Sequence, residues 1–146
     1  MTIFKKLIKS LLLVVLVFAA GSALALNVTL SAKSNGSATP TILGKTNLPD
    51  GTNLMFSLEN KGIAYHAQTH AVVSGGKFEA GPFSLRGSGL SKGTYTLEVS
   101  MSVARVQSTT AQKVIGSDGE KLTGALVKKS EFGGNWVSYN TSIKIP

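Results

Sequence analysis

The chain has 146 residues, no cysteine, and 15 lysines and arginines against 7 aspartates and glutamates, which gives a formal net charge of +8. The lack of cysteine excludes disulfides, thiolate metal sites and bacterial lipid attachment through a cysteine. The basic residues are dispersed, no run exceeds a pair such as Lys128-Lys129, and no aromatic residues alternate with them. We therefore expect no nucleic-acid-binding surface, and at most an unspecific attraction to anionic envelope surfaces.

The first 25 residues have the three-part organisation of a cleavable secretory signal peptide. A basic region, an apolar run and a small-residue exit follow one another as Lys5, Lys6 and Lys9, then Leu11 to Ala20, then Ala23 to Ala25. Because signal peptidase needs small side chains at two recognition positions, we expect cleavage between Ala25 and Leu26. The alternative is an uncleaved anchor, but an apolar run of about ten residues is short for a bilayer that needs about twenty.

The sequence therefore predicts a periplasmic or secreted protein with a signal peptide at residues 1–25 and one mature domain at residues 26–146. No membrane span is expected after signal cleavage. The mature part has the usual length of a single domain and can bury a hydrophobic core without disulfides.

The most regular segment is Thr94 to Val103, where polar and apolar residues alternate without a break. Side chains point to opposite faces of a strand in turn, so we expect one face to be buried and the other to meet water. The expected core residues of this strand are Tyr95, Leu97, Val99, Met101 and Val103.

The same alternation occurs around Leu26 to Leu30, Leu54 to Leu58 and Val137 to Ile145. A tight turn at Ser74-Gly75-Gly76-Lys77 predicts a hairpin between a strand from Ala67 to Val73 and a second from Phe78 to Leu85. Only Thr109 to Ile115 has the composition for a short helix. The pattern predicts an all-β fold, an antiparallel β-sandwich of seven to nine strands.

One segment, Leu90-Ser91-Lys92-Gly93-Thr94-Tyr95-Thr96-Leu97, resembles a motif of bacterial secreted immunoglobulin-like and transthyretin-like β-sandwich modules. In these modules leucine, glycine and tyrosine lead into a core strand. The resemblance implies an immunoglobulin-like sandwich and no particular ligand.

His66 and His70 are the two histidines of the chain. On a helix their spacing would suit one metal ion, but in a strand it places their Cα atoms roughly 13 Å apart, too far for joint chelation. The chain also resembles small exported copper carriers in size, and Met55 and Met101 are possible thioether ligands. We expect both methionines to fill the core, the histidines to be solvated, and no cofactor to be required.

A catalytic constellation is not evident, because the acidic residues are scattered singly and the serines lack the Gly-x-Ser-x-Gly motif. Asp118 and Glu120 are neighbours, but they flank a glycine turn. We therefore expect a protein without enzymatic activity.

Trp136 begins the last predicted strand, out of phase with its core residues. Either it is an exposed anchor for a partner or a sugar, or Gly133-Gly134 forms a bulge that turns it into the core. Two predicted loops are also long enough for recognition: Gly81 to Gly89, which contains Arg86, and Gln107 to Lys121, which contains Lys113.

The sequence thus favours an exported, non-enzymatic domain that binds another macromolecule, a protein partner, through loops or an exposed strand edge. Trp136, Arg86 and Lys113 are the candidate contact residues. Two alternatives remain: an inhibitor of an exported hydrolase, which requires one rigid exposed loop, and a carrier of copper or a glycan, which would use His66, His70 or Trp136.

Overall fold

A computed structural model describes residues 24–146 of the protein. The predicted signal peptide, apart from Leu24 and Ala25, lies outside the described residues. Both of these residues are exposed and precede the first strand, which begins at Leu26. Within residues 24–146, no helix has the length and apolar character needed to cross a membrane.

The described chain consists mainly of β-strands, which confirms the all-β expectation. The strands are β1 (Leu26–Asn27), β2 (Leu30–Ser34), β3 (Ile42–Thr46), β4 (Asn53–Asn60), β5 (Tyr65–Val72), β6 (Lys77–Ala80), β7 (Gly93–Met101), β8 (Leu122–Thr123), β9 (Val127–Lys129) and β10 (Asn135–Ile145). One α-helix, α1 (Thr109–Ile115), and two 3₁₀ turns, Lys61–Ile63 and Ala104–Val106, complete the fold. The count of ten exceeds the expected seven to nine because β1 and β8, of two residues each, are too short to show a period.

The strands form two antiparallel sheets and one short parallel pair. The larger sheet has the order β5-β4-β7-β10-β9, and the smaller has the order β2-β3-β6. β1 pairs in parallel with β8, where the backbone N–H of Leu26 donates to the carbonyl of Lys121 at 2.7 Å. The predicted strand from Leu26 to Leu30 is therefore two short strands that pair with different neighbours.

β7 is the central strand of the larger sheet, and its alternation matches the prediction. Tyr95, Leu97, Val99 and Met101 are fully buried, whereas Val103 lies beyond the end of the strand and is partly exposed. The inward residues of its neighbours complete the same layer, and they include Leu54, Phe56 and Leu58 on β4 and Val137 and Ile143 on β10.

The inward faces of the two sheets share one hydrophobic core. Phe56 of the larger sheet and Phe78 of the smaller sheet meet with their ring centroids 5.3 Å apart. Gly44 on β3 lies directly opposite Phe78, and a Cβ atom at this position would overlap the phenylalanine ring. The absence of a side chain at residue 44 thus provides the room for this ring.

Two tyrosines fasten the loop between β6 and β7. The hydroxyl of Tyr95 donates to the carbonyl of Ser91 at 2.9 Å, and its ring meets that of Tyr65 edge-on at 5.7 Å. The hydroxyl of Tyr65 donates to the carbonyl of Ser84 at 3.3 Å. Burial, with a smaller effect of Tyr95, raises the pKa of Tyr65 above that of a free tyrosine.

Two other predicted elements have clear outcomes. The hairpin turn is confirmed by the bridge between Ser74 and Lys77. The second strand of this hairpin ends at Ala80 rather than Leu85, because Gly81 has φ +118° and Pro82 has no N–H to donate to a ladder. Helix α1 has the predicted bounds, and Ser108 caps it by accepting from the N–H of Ala111.

Candidate functional site

The side of the larger sheet that points away from the core is polar, and we call it the outer face; it is exposed along β5 but covered at Ser100 and Ser138. Its side chains stand in cross-strand rows, namely His70, Met55, Ser100 and Ser138; Gln68, Ser57, Glu98 and Asn140; and His66, Glu59, Thr96 and Ser142. Because side chains alternate along a strand, Trp136 also lies on this face, two residues before Ser138. The structure therefore brings three sequence-predicted site residues to one surface.

The two histidines are exposed on β5 and do not converge. The Nε2 atom of His66 is hydrogen-bonded to Oγ of Ser57 at 2.9 Å, and His70 stands opposite Met55. Met101 is fully buried in the core and lies away from both rings. Within residues 24–146, no cluster of three or more histidine or carboxylate side chains is arranged to hold a metal ion.

The pair Ser57–His66 contains two of the three groups of a serine hydrolase. Glu59 is the direct cross-strand neighbour of His66, but the only hydrogen bond found for this imidazole among the described residues is that to Ser57. The serine also stands in the middle of a strand on an open face, away from any loop that would aim backbone N–H groups at an oxyanion. The hydrogen bond therefore orients the imidazole without assembling a triad.

Trp136 is half-buried at the far side of the outer face. It stands directly opposite Lys128, while the next residue, Val137, enters the core. Gly133 and Gly134, with φ +89° and +81°, form the turn of the β9–β10 hairpin instead of a bulge. Three strand spacings, about 14 Å, separate β10 from β5, so Trp136 and the histidines share a face but not a pocket.

The centre of the outer face is a small hydrogen-bond network. The amide of Asn140 donates to Oγ of Ser138 at 3.3 Å, and this hydroxyl donates to the carboxylate of Glu98 at 3.1 Å. These side chains satisfy one another, so the middle of the sheet offers few free polar groups to a ligand.

Arg86 lies at the tip of a tight turn between Leu85 and Ser88, with φ +52°. Phe83 and Leu90 on either side of the turn are buried, which makes this loop a fixed projection. Lys113 is exposed on α1, and its carbonyl accepts a hydrogen bond from Nζ of Lys121 at 3.2 Å. Arg86 thus lies in the loop between β6 and β7 and Lys113 on helix α1, outside the strands of the larger sheet.

The free edge of β5 is the feature that the sequence did not single out. Among the strands of residues 24–146, β5 is the outermost of the larger sheet and pairs only with β4. Alternate residues of an antiparallel edge strand direct their N–H and C=O groups away from the sheet. Over the eight residues Tyr65–Val72, the sequence contains no Lys, Arg, Asp, Glu or Pro.

The other edge strands of the two antiparallel sheets are shorter and carry charges. β9 has three residues and two lysines, β6 has four residues with Lys77 and Glu79, and β2 has five residues with Lys33. Charged side chains and short length are the usual protection of a sheet edge against pairing with another chain. β5 is thus the longest edge strand and the one that lacks this protection.

The inward side of β5 is also open. Ala67, Thr69 and Ala71 are half-buried, whereas the facing inward residues of β4 are fully buried. The opening between β5 and β6 is closed at one end by the Ser74–Lys77 bridge and at the other by the hydrogen bond between Tyr65 and Ser84. An added strand at β5 would therefore meet small side chains within a bounded opening.

No family model matches the chain, and no curated protein or solved structure matches it either.

Proposed function

We propose that this protein is an exported, non-enzymatic, immunoglobulin-like β-sandwich that binds an extended segment of another protein as an additional strand beside β5. The observation that carries the proposal is the free edge Tyr65–Val72, eight residues long and without a charged residue or proline. Natural proteins protect such edges unless the edge is used.

Strand addition divides the work of binding between backbone and side chains. Main-chain hydrogen bonds to β5 supply affinity, and the side chains along the edge supply selectivity. On the outer face the partner would contact His66, Gln68 and His70, all of which are exposed. On the inward face, the small side chains of Ala67 and Ala71 leave room for larger residues of the partner.

Two observations support the fold and location within this proposal. The hydroxyl of Tyr95, bonded to the carbonyl of Ser91 four residues earlier, has the geometry of the tyrosine corner of immunoglobulin-like sandwiches. The predicted cleavage point before Leu26 coincides with the start of β1, so cleavage there leaves every described strand intact.

The alternatives receive less support from the geometry. A protease cleft takes an extended segment, whereas Arg86 at the tip of the projecting loop has a left-handed backbone with φ +52°. For a glycan carrier, the one tryptophan is half-buried beside Lys128 and lies three strands from the histidines. The inhibitor alternative predicts binding that is independent of β5, and a carrier that used Trp136 would bind three strands away from it.

Site-specific photo-crosslinking in the native cell envelope tests the proposal. A benzoylphenylalanine at His70, on the β5 edge, is expected to give one discrete protein adduct. The same group at Lys33, on the β2 edge of the other sheet, is the matched control and is expected to give none. Equal adducts from both positions, or none from His70, would contradict binding at β5.

A charge placed on the edge provides the second part of the test. Thr69→Lys introduces an inward-pointing charge at a half-buried position of β5, a known means of blocking strand addition. We expect loss of the His70 adduct, while Ala32→Lys, at a half-buried position of the β2 edge, retains it. Thermal unfolding of both variants checks that they are folded, and an adduct that persists in folded Thr69→Lys would refute strand addition.

A further inference from the structure

The smaller sheet carries a cluster of lysines on its solvent-facing side. Lys45 on β3 stands directly opposite Lys77 on β6, and Lys33 on β2 stands opposite Leu43 in the adjacent row. Glu79, opposite Leu43 on the other side, is the single acidic residue of this surface. Three lysines and one glutamate give the surface a net positive charge.

The lysine pair is unfavourable for the fold by itself. Like charges directly opposite one another on a sheet repel, because their Cβ atoms are only about 5 Å apart. Arg105–Asp118 is the one ion pair found within residues 24–146, so neither Lys45 nor Lys77 has a carboxylate at salt-bridge distance there. An anion bound between the two ammonium groups would remove this repulsion.

The same surface forms a groove with a volume of about 790 Å³, and we call it the lysine groove. Lys33, Lys45, Lys77 and Glu79 line it together with apolar residues, among which Leu43 and Val72 are the ones that the argument uses. Leu43 is half-buried in the middle of the sheet, and Val72 is 56% exposed. This volume is within the range of small-molecule sites.

We propose that the lysine groove binds an anionic amphiphile, a molecule with one phosphate or carboxylate head group and an apolar chain. The head group lies between Lys45 and Lys77, and the chain follows Leu43 and Val72. Glu79, directly opposite Leu43, disfavours a second anionic group in that row, which selects a ligand with its charge at one end. Such a ligand accounts both for the exposed Val72 and for the repulsion between the lysines beside it. An anion without an apolar chain would account only for the lysines.

The lysine groove shares Val72 with the β5 edge, but the groove does not depend on strand addition there. Val72 is the last residue of β5 and points into the groove, but the lysines belong to the other sheet. A failure of either proposal therefore leaves the other intact.

Calorimetric titration with decyl phosphate, below its micelle concentration, tests the proposal. The protein sample is the full chain in the form that the cell produces after processing and export. The variant K45Q/K77Q removes the lysine pair, and K128Q/K129Q makes the same change of charge on β9 of the other sheet. We expect the dissociation constant to rise at least tenfold in K45Q/K77Q and less than twofold in K128Q/K129Q. Equal loss in both variants would show unspecific attraction and overturn the proposal.

Two further ligands test the two parts of the amphiphile. Decyltrimethylammonium has the chain with the opposite charge, and inorganic phosphate has the charge without the chain. We expect both to bind at least tenfold more weakly than decyl phosphate. Equal affinity for decyltrimethylammonium would overturn the role of the lysines, and equal affinity for phosphate would overturn the role of Leu43 and Val72. Because Lys45 and Lys77 are exposed, both variants should retain the circular dichroism of the parent chain.

Discussion

Replacing Tyr95 by phenylalanine removes one hydroxyl group from the centre of the fold. The ring is fully buried, and its hydroxyl is the donor to the carbonyl of Ser91 at 2.9 Å. The ring itself stays in place in Tyr95→Phe, with its edge-on contact to Tyr65 intact. The substitution therefore isolates the hydrogen bond from the packing.

The structure sets the size of the effect. A net contribution of about 0.5–1.5 kcal/mol is typical of one such hydrogen bond, and a buried group left without a partner costs more. Ser91 is exposed, so water can reach its carbonyl when the hydroxyl is gone. We therefore expect a loss of about 1 kcal/mol, which lowers the Tm of a domain of roughly 120 residues by about 4 °C.

Urea denaturation and thermal unfolding followed by circular dichroism measure this loss. Tyr139→Phe is the matched control, because Tyr139 is half-buried on the same face of the sheet. No buried polar side-chain atom within residues 24–146 lacks a hydrogen-bond partner, so the Tyr139 hydroxyl is exposed to water. We expect the control to change the free energy of unfolding by less than about 0.5 kcal/mol. Equal destabilisation by both variants, or none by Tyr95→Phe, would refute the role of the Tyr95 hydrogen bond.

Three further predictions follow from single contacts. Gly44→Ala places a Cβ atom against the ring of Phe78, so we expect urea denaturation to show a loss of about 1–3 kcal/mol in the free energy of unfolding. The same substitution at an uncrowded glycine of a strand would instead raise the stability. Hydrogen bonds from its own backbone N–H and from that of Asp118 lower the pKa of Glu120. A lowered pKa contributes stability above the unfolded-state pKa, so the stability difference between the parent and Glu120→Gln should be present at pH 7 and vanish as the pH falls through the folded-state pKa. The Arg105–Asp118 ion pair is short, 2.7 Å, but its side chains are 60% and 51% exposed. A double-mutant cycle should therefore give a coupling energy of less than about 1 kcal/mol at low salt and still less in 1 M NaCl. A larger coupling energy that does not depend on salt would contradict this expectation.

Local elements of the fold were predictable from the sequence because their signals are local. The unbroken alternation from Thr94 to Val103 identified β7 and its buried face, because apolar residues at every second position indicate a strand with one buried face. Helix α1 was predicted with its observed bounds, and the residues that fix these bounds, Ser108 and Gly116, adjoin it in the chain. The β6 strand was overextended because Phe83-Ser84-Leu85 has its own apolar–polar alternation, although it is out of phase with Phe78 and Ala80.

The candidate sites were not predictable, because they depend on which strands become neighbours. The histidines of β5 were identified as residues, but their position on a free edge follows from β4 pairing with both β5 and β7. Likewise, nothing within the sequence around Lys45 or Lys77 shows that the two stand opposite one another, 32 positions apart in a chain that forms ten strands. The signal that was available is compositional: the predicted strand from Ala67 to Val73 contains no charged residue.

The position of β10 has a consequence for the order in which the molecule can be completed during synthesis. β10 (Asn135–Ile145) follows the other nine described strands in the chain, yet it pairs with the central strand β7 and brings Val137, Ile143 and Ile145 into the core. Until it emerges from the ribosome, β7 has one unpaired side and the core lacks part of its cover. Sheets closed by such distant segments also form slowly. The larger sheet therefore cannot be completed before Ile145 has been synthesised.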